Sequence, residues 1–116
     1  MKKLENEFIG SGEVSGKIFR KVNEDSSMYI YGILDSSGKD ISYYEVFERR
    51  VSRGGDRIIN GVDVHFEERE LYPTSNAFGV WAWCCGSYDR ALEVFTSRGN
   101  IIRDRERIKG LSNNLE

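Results

Sequence analysis

Phe78-Gly79-Val80-Trp81-Ala82-Trp83-Cys84-Cys85 runs directly into Gly86-Ser87-Tyr88-Asp89-Arg90-Ala91-Leu92-Glu93-Val94-Phe95, and the reading of this junction decides the fold. Alternation puts Val80, Ala82 and Cys84 on one side of the first stretch and Trp81, Trp83 and Cys85 on the other. A strand apolar on both faces lies centrally in a sheet or has one face against a partner. Its small-residue side suits the close approach of a helix. Ser87 is an N-cap type, because its hydroxyl can accept a hydrogen bond from a first-turn amide. Asp89 suits the positive end of the helix dipole. Tyr88, Ala91, Leu92 and Phe95 then recur at helical spacing, and Gly99 after Arg98 reads as a stop. The spacing predicts a helix over 87–98, docked on the small-residue side of a central strand.

Upstream the chain reads as β segments separated by turns. Gly10, Gly12 and Gly16 precede Lys17-Ile18-Phe19-Arg20-Lys21-Val22, which is strand-like. A phosphate-cradling loop would have to open a helix instead, so these glycines read as a bulge or tight turn in a sheet. Met28 to Leu34 and Ile41 to Arg49 are β-type runs joined by the turn cluster Asp35-Ser36-Ser37-Gly38-Lys39-Asp40, and they form the clearest hairpin. Asn60-Gly61 between Ile58-Ile59 and Val62 is a type I′ hairpin signal. Val62, Val64 and Phe66 alternate with Asp63, His65 and Glu67, a one-sided strand with His65 on its polar face. Leu71-Tyr72-Pro73-Thr74-Ser75-Asn76 reads as a loop, since proline cannot donate within a central ladder.

The expected fold is therefore α+β: an antiparallel twisted sheet of about five or six strands in meander-like hairpins, with one C-terminal helix packed on one face. Residues 1–7 read as a flexible N-terminal segment and 8–99 as a single α+β domain. Residues 100–116 read as a tail, weakly helical or disordered, in which Ile101, Ile108, Leu111 and Leu115 fall at roughly helical spacing. The final Leu115-Glu116 reads as a tag remnant. The succession of β segments closed by Phe-Gly-Val-Trp-Ala-Trp and one amphipathic helix resembles many short bacterial or phage α+β proteins of unassigned activity, a likeness that carries no motif and no site.

Composition narrows the function. The 116 residues carry a net charge of −2, so no global basic field draws the chain to nucleic acid. No run approaches the roughly 20 apolar residues of a membrane helix, and no signal-like start is present, so a membrane partner is not expected. Cys84 and Cys85 are adjacent, a poor geometry for a disulfide, and reduced thiols point to the cytoplasm. With His65 they make only three candidate zinc ligands, so no metal or cofactor is expected.

Two constellations are candidate binding surfaces. Arg49, Arg50, Arg53 and Arg57 form a local basic cluster that would grip phosphates, or else pair with Glu67, Glu68 and Glu70. Tyr29, Tyr31, Tyr43, Tyr44, Trp81 and Trp83 would stack bases or anchor a protein if exposed on the sheet; otherwise they fill a second small core under the N-terminal strands and the long loop. Glu45, on the side of Tyr43 and Phe47, reads as a semi-buried acid with a raised pKa. His65 between acids has the chemistry of a general base, yet no nucleophile or oxyanion loop stands beside it, and no catalytic role is assigned. The residues point to a small non-catalytic binding or regulatory domain that recognises a protein partner or forms a homodimer. The alternatives are a nucleic-acid-binding module using the arginines and aromatics, and a small enzyme built on His65, Glu45 or Cys85.

Overall fold

The computed structural model describes residues 2–114; Met1 and Leu115-Glu116, the pair read as a tag remnant, lie outside the described residues. Five strands form an antiparallel twisted sheet in the order β1 (Glu7–Ile9), β2 (Ile18–Glu24), β3 (Met28–Leu34), β4 (Ile41–Glu48) and β9 (Ala82–Cys85). Two small ribbons lie outside it: β5 (Val51–Ser52) with β8 (Arg69–Glu70), and β6 (Gly55–Ile59) with β7 (Val62–Phe66). A single helix, α1, spans Tyr88–Asn114.

Local chemistry accounts for the meander. β3 carries no polar or charged side chain beyond the hydroxyls of Tyr29 and Tyr31, and all seven of its residues are buried, as the middle strand of five requires. The turn before it is closed by Asp25, whose Oδ1 accepts from the amides of Ser27 and Met28 at 2.7 and 2.8 Å. The turn after it uses Asp35 with the Ser37 amide, and Gly38 takes φ +71°. The glycine-rich stretch between β1 and β2 is a single 3-10 turn over Gly12–Val14, not an anion cradle. Asn60 and Gly61 both take positive φ, 51° and 78°, the backbone demanded by a type I′ turn.

The sheet carries a core on each face. Phe19, Tyr29, Tyr31, Ile33 and Phe47 pack on one side beneath Leu4, Phe8, Tyr72, Phe78 and Trp81. Met28, Ile30, Val46 and Cys85 pack on the other beneath Ala91, Val94 and Phe95 of α1. The aromatic set is thus split, with Tyr29 and Tyr31 inside a second core covered by the N-terminal segment and the long loop.

The structure departs from the sequence pattern at four points. β9 is an edge strand with β4 as its one neighbour in the described sheet; its two apolar faces are covered by the loop on one side and the helix on the other, so it needs no second neighbour. The helix covers the Trp83 and Cys85 side, not the small-residue side, because Ala82 is already occupied by the aromatic core. Trp81 does not share a face with Trp83. The segment before β9 is a turn, with Gly79 at φ +85° and the amides of Val80 and Trp81 both donating to the Ala77 carbonyl, which swings Trp81 onto the aromatic side. Finally, α1 does not stop at Gly99. Gly99 is buried, Ile102 continues the stripe begun by Ala91, Val94 and Phe95, and Arg103 donates to Asp25 at 3.2 Å, so tertiary contacts carry the helix through its local stop signal. On that stripe Leu92 is displaced to the side and partly exposed, while the Ser87 hydroxyl does accept from the Arg90 amide at 3.2 Å as an N-cap should. Among the described residues no helix is long and apolar enough to cross a membrane.

Candidate functional site

The aromatic face is not completely roofed. Between the β1–β2 turn and the loop of Tyr72 to Phe78 lies an open groove of about 840 Å³. Phe8, Val14, Phe19, Tyr43, Pro73 and Phe78 form its apolar walls, and Glu45 and Cys84 stand on its floor. The floor follows from strand register: Glu45 of β4 pairs with Cys84 of β9, so both side chains leave the sheet on the same face. Cys85, one residue on, faces the helix.

Tyr72 organises this region. Its ring meets Phe8, Phe19, Tyr31 and Phe47 at centroid distances of 5.3, 5.2, 5.3 and 4.8 Å, all but one close to edge-on. Its hydroxyl donates to Glu45 Oε1 at 2.8 Å. Burial pushes the Glu45 carboxyl above the ordinary range, against the Tyr72 hydrogen bond and the charge of Lys17, both of which pull it down. Burial and the neighbouring Glu45 push Tyr72 far upward, so it remains a donor. Burial, then Glu45, also raises the Cys84 thiol, with Lys17 opposing. Lys17 is held at the rim, its Nζ 3.4 Å from the Tyr43 hydroxyl and 5.5 Å from the ring centre.

The groove walls are anchored by one buried ionic node. Glu70 accepts from Tyr29 Oη at 2.5 Å, from the Leu4 amide at 3.1 Å and from Arg49 Nε at 2.9 Å. Arg49 also donates to the Asp25 carbonyl at 2.8 Å and lies over the Tyr29 ring at 4.7 Å. One carboxylate thus ties the N-terminal segment, β3, the end of β4 and the start of the groove loop. Burial alone would raise Glu70, but its three donors outweigh it and hold the carboxyl below the usual range. Residues 2–7 are laid along this node, with Lys2 bridging Arg69 and β1 starting at Glu7.

The structure separates the residues singled out in the sequence. Arg49 is internal, paired with Glu70. Arg50 lies over Trp81 at 5.0 Å, with Glu48 at 3.7 Å, so these two candidates do meet. Arg57 stands over Phe66 on the β6–β7 ribbon, and Arg53 is exposed beside it. Tyr29 and Tyr31 are core and offer nothing to a ligand. Tyr43 lines the groove, and Trp83 is covered by Arg98 at 4.6 Å. His65 bonds Asp56 at 2.8 Å on the exposed ribbon, while Glu45 lies in the groove and Cys85 under the helix. These three groups therefore do not assemble. Sequence reasoning missed Tyr72 and Phe8 as site residues; the one signal for Tyr72 was an aromatic placed next to the chain's single proline.

Compared with known proteins, the chain matches no family model, no curated protein and no solved structure.

Proposed function

We propose that this chain is a non-catalytic binding domain whose recognition site is the groove on the aromatic face, and whose ligand is a protein segment offering an apolar surface and one cationic side chain. The observation that carries the reading is Glu45 at the floor of an apolar groove. Its Oε1 is taken by Tyr72, and no described side chain donates to Oε2. A half-desolvated carboxyl of this kind is costly to keep in a surface that serves only packing. A guanidinium or ammonium brought in on an apolar stem completes its hydrogen bonding while the walls bury the stem. The pattern of many apolar contacts and few convergent polar groups is that of a binding pocket.

The alternatives draw less support. The arginines diverge, one of them into the core, where a phosphate-gripping surface needs them convergent. An acid–base reaction needs its groups within hydrogen-bond reach, and His65 is remote in the fold from the Glu45 groove.

The test is an amide NMR titration with n-hexylguanidinium, n-hexanol and hexanoate. Shifts around Phe8, Tyr43, Tyr72 and Phe78, with hexylguanidinium the tightest and hexanoate the weakest, are expected; Glu45→Gln narrows the gap between hexylguanidinium and hexanol. Equal binding of hexanoate, or shifts remote from the groove, would overturn the reading.

A further inference from the structure

The β6–β7 ribbon stands apart from the rest of the fold: neither strand packs substantially on any other described element. Its register pairs Arg57 with Val64, Ile59 with Val62, and Gly55 with Phe66, so Arg57, Ile59, Val62, Val64 and Phe66 share one face. That face is apolar apart from Arg57; Val64 and Phe66 are half-buried, and toward the turn Ile59 and Val62 are exposed at 46% and 61%. Asp56, Asp63 and His65, with Ile58, are on the opposite face. An isolated two-stranded ribbon is marginal in water, and stability comes from packing its apolar face on something.

We infer that the segment received by the groove is the β6–β7 ribbon of a second copy of this chain, with its apolar face against the groove walls and Arg57 reaching Glu45. The inference rests on the groove being a recognition site. Charge decides between the two ways copies can meet. Packing ribbon face on ribbon face brings two Arg57 side chains together with no acid on either face. The groove offers an acid, Glu45, with an unclaimed oxygen, on an otherwise apolar floor. Arg57 is already held on the correct face by Phe66, at 5.1 Å from the ring centre. The groove volume is that of a site for several side chains rather than one. Ribbon and groove are different surfaces, so the contact closes if two copies exchange ribbons reciprocally and otherwise extends head to tail.

Sedimentation velocity over a concentration series up to about 1 mM tests this, using the full chain, a ribbon variant Val62→Asp and a groove variant Ser75→Trp. Both substituted positions are exposed, so both variants retain the fold, as checked by circular dichroism. The expected result is self-association of the unaltered chain, weakened at least about tenfold in each variant alone and partly recovered in their equimolar mixture, as pairs held by the single contact between one intact ribbon and one intact groove. Three results would overturn the inference: a monomer throughout, association that survives Ser75→Trp, or a mixture no better than either variant. A monomer whose groove still binds hexylguanidinium would remove the second copy as the occupant while leaving the groove reading in place.

Discussion

Replacing Glu70 by Gln removes one charge and almost no volume, and the structure sets what that costs. The side-chain oxygen that remains can still accept from Tyr29 Oη and the Leu4 amide. The new amide nitrogen then faces Arg49 Nε, a donor against a donor, in place of a charge-assisted bond of 2.9 Å. The Glu70 and Arg49 side chains are only 2% and 16% exposed, so water does not replace the lost partner. Removing one member of a buried pair costs about 3–5 kcal/mol. Arg49 keeps the Asp25 carbonyl at 2.8 Å and has Glu24 at 3.8 Å, which lowers the expectation to about 2–3 kcal/mol. Urea unfolding at pH 7, followed by tryptophan fluorescence, should show a midpoint lower by about 1 M with unchanged slope. Because Glu70 is held below its unfolded-state range, its contribution is complete above the unfolded pKa and fades as pH falls through the folded one. The gap between the two proteins should therefore narrow on acidification. A penalty below about 0.5 kcal/mol at pH 7, or one that does not change in acid, would refute the reasoning.

Other consequences follow from the same geometry. Tyr72→Phe keeps the aromatic packing but takes the only described side-chain donor from Glu45; the carboxyl should titrate still higher, and the fold should lose about 1 kcal/mol, read by carboxyl NMR and urea unfolding. Gly99→Ala should stabilise the protein by about 0.5 kcal/mol in thermal unfolding, since the helix runs through this position and the nearest atoms to the added methyl are the guanidinium end of Arg103, at 3.0 Å; a loss would mean that Arg103 cannot yield. Iodoacetamide should modify Cys84 and spare buried Cys85 in the native protein, slowly at neutral pH because burial and Glu45 raise the thiol, and more slowly with hexylguanidinium in the groove, as intact mass measures.

The parts of the fold written in local chemistry were legible before the structure. Asp25 and Gly38 mark the turns around β3, Asn60-Gly61 marks the ribbon, Ser87 caps the helix, and Glu45 already stood out as an acid sharing a face with Tyr43 and Phe47. What depends on the covering of each face was not legible. Ala82-Trp83-Cys84-Cys85 is apolar on both sides, so alternation alone cannot say which side the helix takes; that was settled by Tyr72 and Trp81 filling the other. Gly99 is a sound local stop overridden by Ile102 and by Arg103 reaching Asp25 across 78 residues of chain. The arginine cluster dissolved for a similar reason: Arg49 and Arg50, just past β4, and Arg57, within β6, were claimed by different partners, Glu70, Trp81 and Phe66. The groove lies between a glycine turn and a proline loop far apart in sequence, and no periodicity links them.

The titration of the Glu45 side-chain carboxyl, followed by carbon NMR with and without hexylguanidinium, reaches the central claim most directly. Lys17, Tyr72, Tyr43 and Cys84 are the titratable groups around it, from the β1–β2 turn, the groove loop, β4 and β9. In the free protein the carboxyl should titrate above the ordinary range, lowering stability as pH rises through the interval between its unfolded and folded values. Bound hexylguanidinium, which favours the carboxylate, should move it downward, and binding should weaken as acid protonates it. A Glu45 that titrates as an ordinary surface carboxyl, or one that hexylguanidinium leaves unmoved at saturation, would contradict the account.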